Sequence, residues 1–393
     1  MHAARARLLI MPRRMTELPS QAVLPFGGAS AMVRRRSAPV RMTVQAILTH
    51  LMFLACLTLL SAAGVRVMIV VGFMDHPEGR KAHDKPTPKL GGVGIVLAYL
   101  LGILFLYRVA EFSRLADPYF RGMILSAFAI ALVALLDDVY DYRFVVKLGA
   151  QLAAALTAVG TGLYVTAYHL PYIGGVDVGL LAVPFTLCWI LFATNAMNFI
   201  DGMNGLAAGV TFITCVFLSI FSAHANGWFT YFAAALLAAG VLGFLPFNYP
   251  RARIFMGDVG SQFCGFVLAM LAVASSRFES SELSFVLVPM MLTGALYDVA
   301  FTLVRRLLRG ENITQAHRGH LFQVAHRAGM APWFITLIYW GFTLFGACAA
   351  WCFLAVPSFY KPLIVPVPLV PPVIWTGYVI WRAKRAEVGR WSR

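Results

Sequence analysis

Between about residues 46 and 381 the chain alternates apolar runs of roughly twenty residues with short polar gaps. A helix needs about 20 apolar residues to cross the hydrocarbon core of a bilayer. The runs therefore predict about eleven membrane-spanning helices, near 46–73, 90–107, 121–136, 147–167, 179–194, 205–222, 228–245, 259–275, 283–303, 332–355 and 362–381. Membrane strands would alternate apolar and polar residues, and these runs do not. The expected fold is all-α: a polytopic membrane protein with one transmembrane domain over 42–385, after a basic stretch 1–41 and before a basic tail 386–393. Arg66 interrupts the first run and either snorkels to the interface or ends that helix early.

Composition agrees. Hydrophobic residues make up 60% and charged residues 12%, against about 45–50% and about 25% in soluble domains. The six cysteines all fall inside apolar runs and form no CxxC pair, so they read as packing residues, not as a disulfide or zinc framework. Net charge is +15, but its distribution speaks against nucleic acid as a partner. With alternate gaps assigned to opposite faces, one face and the carboxyl tail hold 18 Lys and Arg, and the other face holds 5. Cytoplasmic loops carry such an excess, so the rich face is predicted to be cytoplasmic and the amino terminus external. Residues 1–41 disagree, with eight Arg and a single acid, Glu17. Two readings stand: translation begins at Met42, or the stretch resembles an organelle transit peptide.

Polar chemistry collects on the basic face. "LLDDVYDYR" sets Asp137 beside Asp138, and Asp141 would share a helix face with Asp137 if the helix continued. Adjacent carboxylates repel unless a cation or proton lies between them, and Mg²⁺ takes one or two carboxylates plus substrate phosphates. A solvated helix end is the plainer alternative. "NAMNFIDGMNG" carries Asn195, Asn198 and Asp201 on a glycine-rich turn; amides suit sugar hydroxyls or a base. "FNYPRARIFMGDVGS" carries Asn248 as a candidate substrate contact and Asp258 at the start of a run, as a metal ligand or a helix cap. "AHRGHLFQ" supplies His317, Arg318 and His320; no second His or Cys loop completes a zinc set, so phosphate binding fits better. "RKAHDKPTPKLGG" adds cations suited to phosphate or lipid headgroups, with Lys85 the candidate substrate contact. Asp298 lies within the ninth run, where a carboxylate needs a partner; Arg305, about two turns on, is the candidate, and a structural role is expected.

These loops, in this order, resemble the polyprenyl-phosphate N-acetylhexosamine-1-phosphate transferases of glycosyltransferase family 4, over about residues 45–330. The resemblance implies transfer of a HexNAc-1-phosphate from a UDP-sugar to undecaprenyl phosphate, releasing UMP, at the bacterial inner membrane with a cytoplasmic site. It implies Mg²⁺, with Mn²⁺ as a substitute, and a homodimer. Asp137 and Asp138 match the paired aspartates, Asp258 the metal-binding aspartate, and Asn198 and Asp201 the nucleotide and catalytic loop. His317, Arg318 and His320 match the histidine loop near the diphosphate. Asp137, Asp138, Asp201 and Asp258 are thus the expected catalytic residues, with Asp258, Asp137 and Asp138 on the metal. The peptidoglycan branch carries three consecutive histidines where this chain has "HRGH". The chain looks more like the initiators of O-antigen, lipopolysaccharide or exopolysaccharide. The rival readings are the muramoyl-pentapeptide transferase and, from another class, a lipid-linked sugar transporter. The scarcity of mid-span charge counts against the transporter. A CDP-alcohol-type enzyme would need a DGxxAR pattern, and here "DG" is followed by "MNGLA".

Overall fold

The computed structural model describes residues 43–75, 86–109, 117–165, 167–170, 174–177, 179–277, 283–312, 315 and 317–389. Contacts divide the chain after Phe53; the described residues of the first unit, 43–53, are the opening turns of helix α1, Val44–Val71, and all else belongs to the second. Then follow α2 (Gly92–Val109), α3 (Asp117–Tyr140), α4 (Phe144–Gly160), α5 (Ala182–Ile200), α6 (Leu206–His224) and α7 (Trp228–Asn248). Next come α8 (Asp258–Arg277), α9 (Leu287–Met291), α10 (Thr293–Leu308), α11 (Leu321–Arg327), α12 (Pro332–Ala355), α13 (Lys361–Ile364) and α14 (Val370–Arg385). Two short antiparallel hairpins lie in the connections, Met74–Asp75 with Thr87–Pro88 and Ala167–Leu170 with Gly174–Asp177. All six cysteines are free.

Among the described residues, nine helical segments are long and apolar enough to cross a membrane. The all-α polytopic expectation holds, but two of the eleven predicted spans differ. The fourth, expected over 147–167, is the 17-residue α4, short of the roughly 20 residues a span needs. The ninth, expected as one helix over 283–303, breaks at Leu292 into α9 and α10. Pro289 brings no amide to the helix, and the Thr293 hydroxyl bonds the carbonyls of Pro289 and Met290 at 3.0 and 2.9 Å, an alternative to the helical ladder.

Helix α8 is the pivot. It packs against α2, α3, α5, α6, α7 and α9, and nearly all of its apolar stretch is buried. Its contact with α2 is backbone on backbone: a Cβ on Gly92 would lie 2.3 Å from Gly260, an approach that only small residues permit. The start of α2 is further laced to the loop before α8, with the Gly91 and Gly92 amides donating to the Phe255 and Met256 carbonyls at 2.9 and 2.8 Å. The amino-terminal ends of α2 and α8 are thereby fixed side by side, next to the carboxyl end of α3.

Candidate active site

Helix α3 ends in the two aspartates, and the structure uses them differently. Asp137 is buried; its Oδ1 accepts the Tyr142 amide at 3.0 Å and closes the helix end. The helix does not continue to Asp141, which turns into the left-handed region at φ 49° and leaves its carboxylate fully exposed. The expected shared face of Asp137 and Asp141 is therefore lost. Asp138 points to α8: its Oδ2 accepts the Val259 amide at 2.8 Å, capping the first turn of that helix. Gly257 makes this possible. Its φ is +75°, and a Cβ there would stand 2.7 Å from Asp138 Oδ2. The Lys89 ammonium lies 4.0 Å from Asp138 Oδ1 and donates to the Asp138 carbonyl.

Asp137 and Asp258 meet on a residue that the motif reading passed over. Lys147, in the first turn of α4, places its Nζ 2.8 Å from Asp137 Oδ2, 3.6 Å from Asp258 Oδ2 and 3.8 Å from Asp141 Oδ1. A chain of amides, buried at Gln151 and Gln262 and half-buried at Asn195, then fixes Asp258 from behind. Gln262 Nε2 donates to Asp258 Oδ2 at 2.9 Å, Gln151 Nε2 to Gln262 Oε1 at 2.9 Å, and Asn195 Nδ2 to Gln151 Oε1 at 2.7 Å. A carboxylate only accepts, so every amide in the chain is oriented with its NH₂ toward Asp258. The signal for these residues was present. Lys147 and Gln151, and likewise Asp258 and Gln262, are four residues apart on helices that are otherwise apolar, and so share a face.

The Asp201 turn sits next to this group. Asp201 follows the last residue of α5, with Asn198 half-buried one turn earlier. Burial, and then the charges of Asp258 and Asp138, push the Asp201 carboxyl well above the usual carboxylate range. The turn is clamped from outside by α12: the Thr336 hydroxyl donates to Asn204 O at 3.0 Å and the Trp340 indole to Gly205 O at 3.1 Å. Asn248 completes the clamp. It is buried, accepts the Gly205 amide at 2.6 Å and donates to Ile254 O at 3.0 Å. Its amide is thus committed at both ends to joining two loops, a placement unlike the substrate contact expected.

The histidine loop is anchored by Asp298, whose partner is not the expected Arg305. Asp298 is fully buried and accepts the Leu321 and Phe322 amides at 2.8 and 3.3 Å, the Tyr339 hydroxyl, and the Thr302 hydroxyl at 3.2 Å. His320 Nδ1 lies 3.3 Å away. His320 is therefore buried against the scaffold, with its ring 4.9 Å from that of His317. Arg305 instead donates toward Gly319 O at 3.5 Å. His317 Nδ1 accepts the Gly319 amide at 3.1 Å, which leaves its proton on Nε2. Burial, and then the cationic neighbourhood of His320, Arg306 and Arg305, lowers its pKa to about 4. His317 is thus a neutral donor; Arg318 beside it is half-buried. Lys85 lies outside the described residues.

Four carboxyls, those of Asp137, Asp138, Asp201 and Asp258, gather with the ammoniums of Lys147 and Lys89. The excess of negative charge favours a further cation or a proton. Asp137 Oδ2 is buried on the Lys147 ammonium, and a carboxylate oxygen has a further lone pair to offer.

Known proteins resemble this chain over most of its length. Residues 120–276, which hold Asp137, Asp138, Lys147, Asp201 and Asp258, match the family described as glycosyl transferase family 4. A Bacillus subtilis protein described as a probable undecaprenyl-phosphate N-acetylglucosaminyl 1-phosphate transferase is 31% identical over 67% of this chain and 74% of its own. The decaprenyl-phosphate N-acetylglucosaminephosphotransferase of Mycolicibacterium smegmatis is 29% identical over 87% of this chain and 89% of its own. A phospho-N-acetylmuramoyl-pentapeptide-transferase from Acetivibrio thermocellus is 33% identical over 50% of this chain and 62% of its own.

Proposed function

Because the chain belongs to glycosyl transferase family 4 and, within it, to the polyprenyl-phosphate N-acetylhexosamine-1-phosphate transferases, we propose that it moves an N-acetylhexosamine 1-phosphate from a UDP-sugar onto undecaprenyl phosphate, releasing UMP. The protein is a glycosyl-1-phosphate transferase with multiple apolar helices. The observation that carries the detailed reading is the meeting of Asp137 and Asp258 on the Lys147 ammonium, with Asp201 beside them.

Phosphoryl transfer asks a protein for positioning and charge neutralisation. We assign Asp137 to the lipid phosphate, as the carboxylate that keeps it deprotonated. One oxygen of that phosphate attacks the β-phosphorus of the donor. An O–P bond forms there, the bond to the oxygen bridging the α and β phosphates breaks, and UMP departs with that oxygen. Lys147 and Arg318 supply positive charge to the phosphates, and His317 supplies a neutral Nε2–H. Asp138 holds the start of α8, and with it Asp258, in register. Asn195 belongs to the amide chain behind Asp258, while Asn198 and Asp201 are assigned to the nucleotide side.

The residues fit a magnesium ion. Asp137 offers a buried oxygen with a further lone pair, Asp258 is 30% exposed on the same ammonium, and both are hard oxygen donors. Mg²⁺ is bound through one or two carboxylates with substrate phosphates and water in its other places. Asp258 and Asp137 would hold it, with Mn²⁺ acceptable to the same ligands. When bound, it supplies charge neutralisation to the diphosphate.

We place the enzyme at the first membrane step of O-antigen, lipopolysaccharide or exopolysaccharide synthesis, in the bacterial inner membrane with the site facing the cytoplasm. The one-sided distribution of Lys and Arg supports that orientation. An N-acetylglucosamine-type donor is favoured over a muramoyl pentapeptide, since relatives of the first kind align over 67–87% of this chain and the second over 50%. The test is UMP release by detergent-purified protein given undecaprenyl phosphate, Mg²⁺ and a panel of UDP-HexNAc donors. UMP formation should need both the lipid phosphate and the metal. UMP formed without lipid, or no UMP with any donor from folded protein, would refute the reading.

A further inference from the structure

Helices α10 and α14 enclose a cleft of about 320 Å³ lined by Phe301, Arg305, Arg309, Ile380 and Lys384. It arises from two stripes of four-residue spacing that face each other. On α10 the stripe reads Tyr297, Phe301, Arg305 and, just past the helix end, Arg309; on α14 it reads Thr376, Ile380, Lys384. One turn earlier on each helix, the Thr376 hydroxyl donates to the Tyr297 hydroxyl at 3.1 Å and ties the two helices together. The middle members are its apolar walls. The last members, Arg305, Arg309 and Lys384, bring three cationic residues to its lining, of which Arg309 and Lys384 are exposed, and no carboxylate lines it.

The surroundings mark this as the edge of the membrane. Leu307, Leu308, Val373 and Ile374 are exposed apolar side chains on the same two helices. Exposed Trp381 lies on α14 with the Arg385 guanidinium 4.3 Å over its ring. Such pairing of aromatic and basic residues is the habit of the headgroup level. Cations at helix carboxyl ends also offset the helix dipole, but that role needs neither a cavity nor apolar walls beneath the charges. Arg306, the neighbouring cation, is spent elsewhere: it is buried on Glu311, Asn312 O and Gln315 O.

We propose that this cleft binds the phosphate headgroup of an anionic glycerophospholipid, with Arg309 and Lys384 as its outer charges, Arg305 as its inner one, and Phe301 and Ile380 against the first carbons of the lipid. Arg305 also donates toward Gly319 O in the histidine loop, so the bound headgroup lies one residue contact from that loop.

Native mass spectrometry of the detergent-purified full chain, titrated with phosphatidylglycerol or phosphatidylcholine, tests this. Phosphatidylglycerol should bind in preference, and the doubly substituted Arg309→Gln, Lys384→Gln protein should bind it about thirtyfold more weakly, the loss expected for two charges at the membrane surface. Arg309→Lys should retain most of the affinity, and the melting temperature of each variant reports that it is folded. Undiminished phosphatidylglycerol binding by the folded double variant would overturn the proposal. Displacement of the lipid by millimolar inorganic phosphate would also overturn it, making this a site for free phosphate. One-for-one displacement by undecaprenyl phosphate would do the same, by giving the cleft to the acceptor.

Discussion

An alanine at position 298 would remove at one stroke the acceptor for two backbone amides, two hydroxyls and His320, all in a dry interior. Each stranded buried donor costs about 1–3 kcal/mol, and breaking a buried charged pair about 3–5 kcal/mol. The donors share one cavity and partly re-pair, so the losses do not add; Asp298→Ala should cost about 5 kcal/mol. Asp298→Asn keeps the shape and one carbonyl but turns an NH₂ toward groups that donate; about 3 kcal/mol is expected. At roughly 2 °C per kcal/mol for a chain of this size, melting should fall by about 10 °C and 6 °C. The assay is thermal melting in one detergent at one scan rate, because unfolding of such proteins is often irreversible, with UMP release measured in parallel. Stability and turnover should fall together, since Asp298 acts by holding the start of α11 and the histidine loop. An alanine variant that melts within about 2 °C of the parent would refute the anchoring. A normal melt with abolished turnover would move Asp298 from scaffold to chemistry.

Three further outcomes are expected. Asp137→Asn should abolish UMP release with an unchanged melt, whereas Asp138→Ala should also lose about 1 kcal/mol of stability as α8 loses its cap; identical melts would erase the division of labour between the two. Gln262→Leu should weaken Mn²⁺ binding, followed by electron paramagnetic resonance, about 10–100-fold by releasing Asp258 from its amide chain, and unchanged binding would count against that support. His317 holds its proton less firmly in the fold, with a pKa of about 4 against the ordinary 6.5. Its contribution to stability is full above pH 6.5 and is lost as the pH falls toward 4. His317→Gln should flatten the melting profile across that window, and a profile that keeps its slope would assign the acid sensitivity to other groups.

The membrane helices were legible in the sequence because hydropathy over about twenty residues is a local property. The break at Leu292 was not, because Pro289 and Thr293 sit in a run that is apolar enough to pass as one span. The aspartates stood out by their cost in such a chain. Lys147 did not, because it was counted among the charges that set topology, and Gln151 and Gln262 are single polar residues inside apolar runs. Their meaning appears only when α4, α5 and α8 come together. The same limit misplaced the partner of Asp298. Arg305 is near along the helix, but the groups that satisfy the carboxylate come from residues 320–322 and 339.

The depth of α8 sets how far the thickness of the surrounding bilayer reaches. A membrane that is too thin or too thick strains the helices it touches, by fractions of a kcal/mol per Å of mismatch. It touches the outer segments, Pro332–Ala355 and Ser358–Arg385, whose apolar stretches are mostly not buried. It barely reaches the helix that begins at Asp258. Asp258 thus keeps its register with Asp137, and a change of acyl-chain length reaches the chemistry by way of Pro332–Ala355, the helix that holds the Asp201 turn and Asp298.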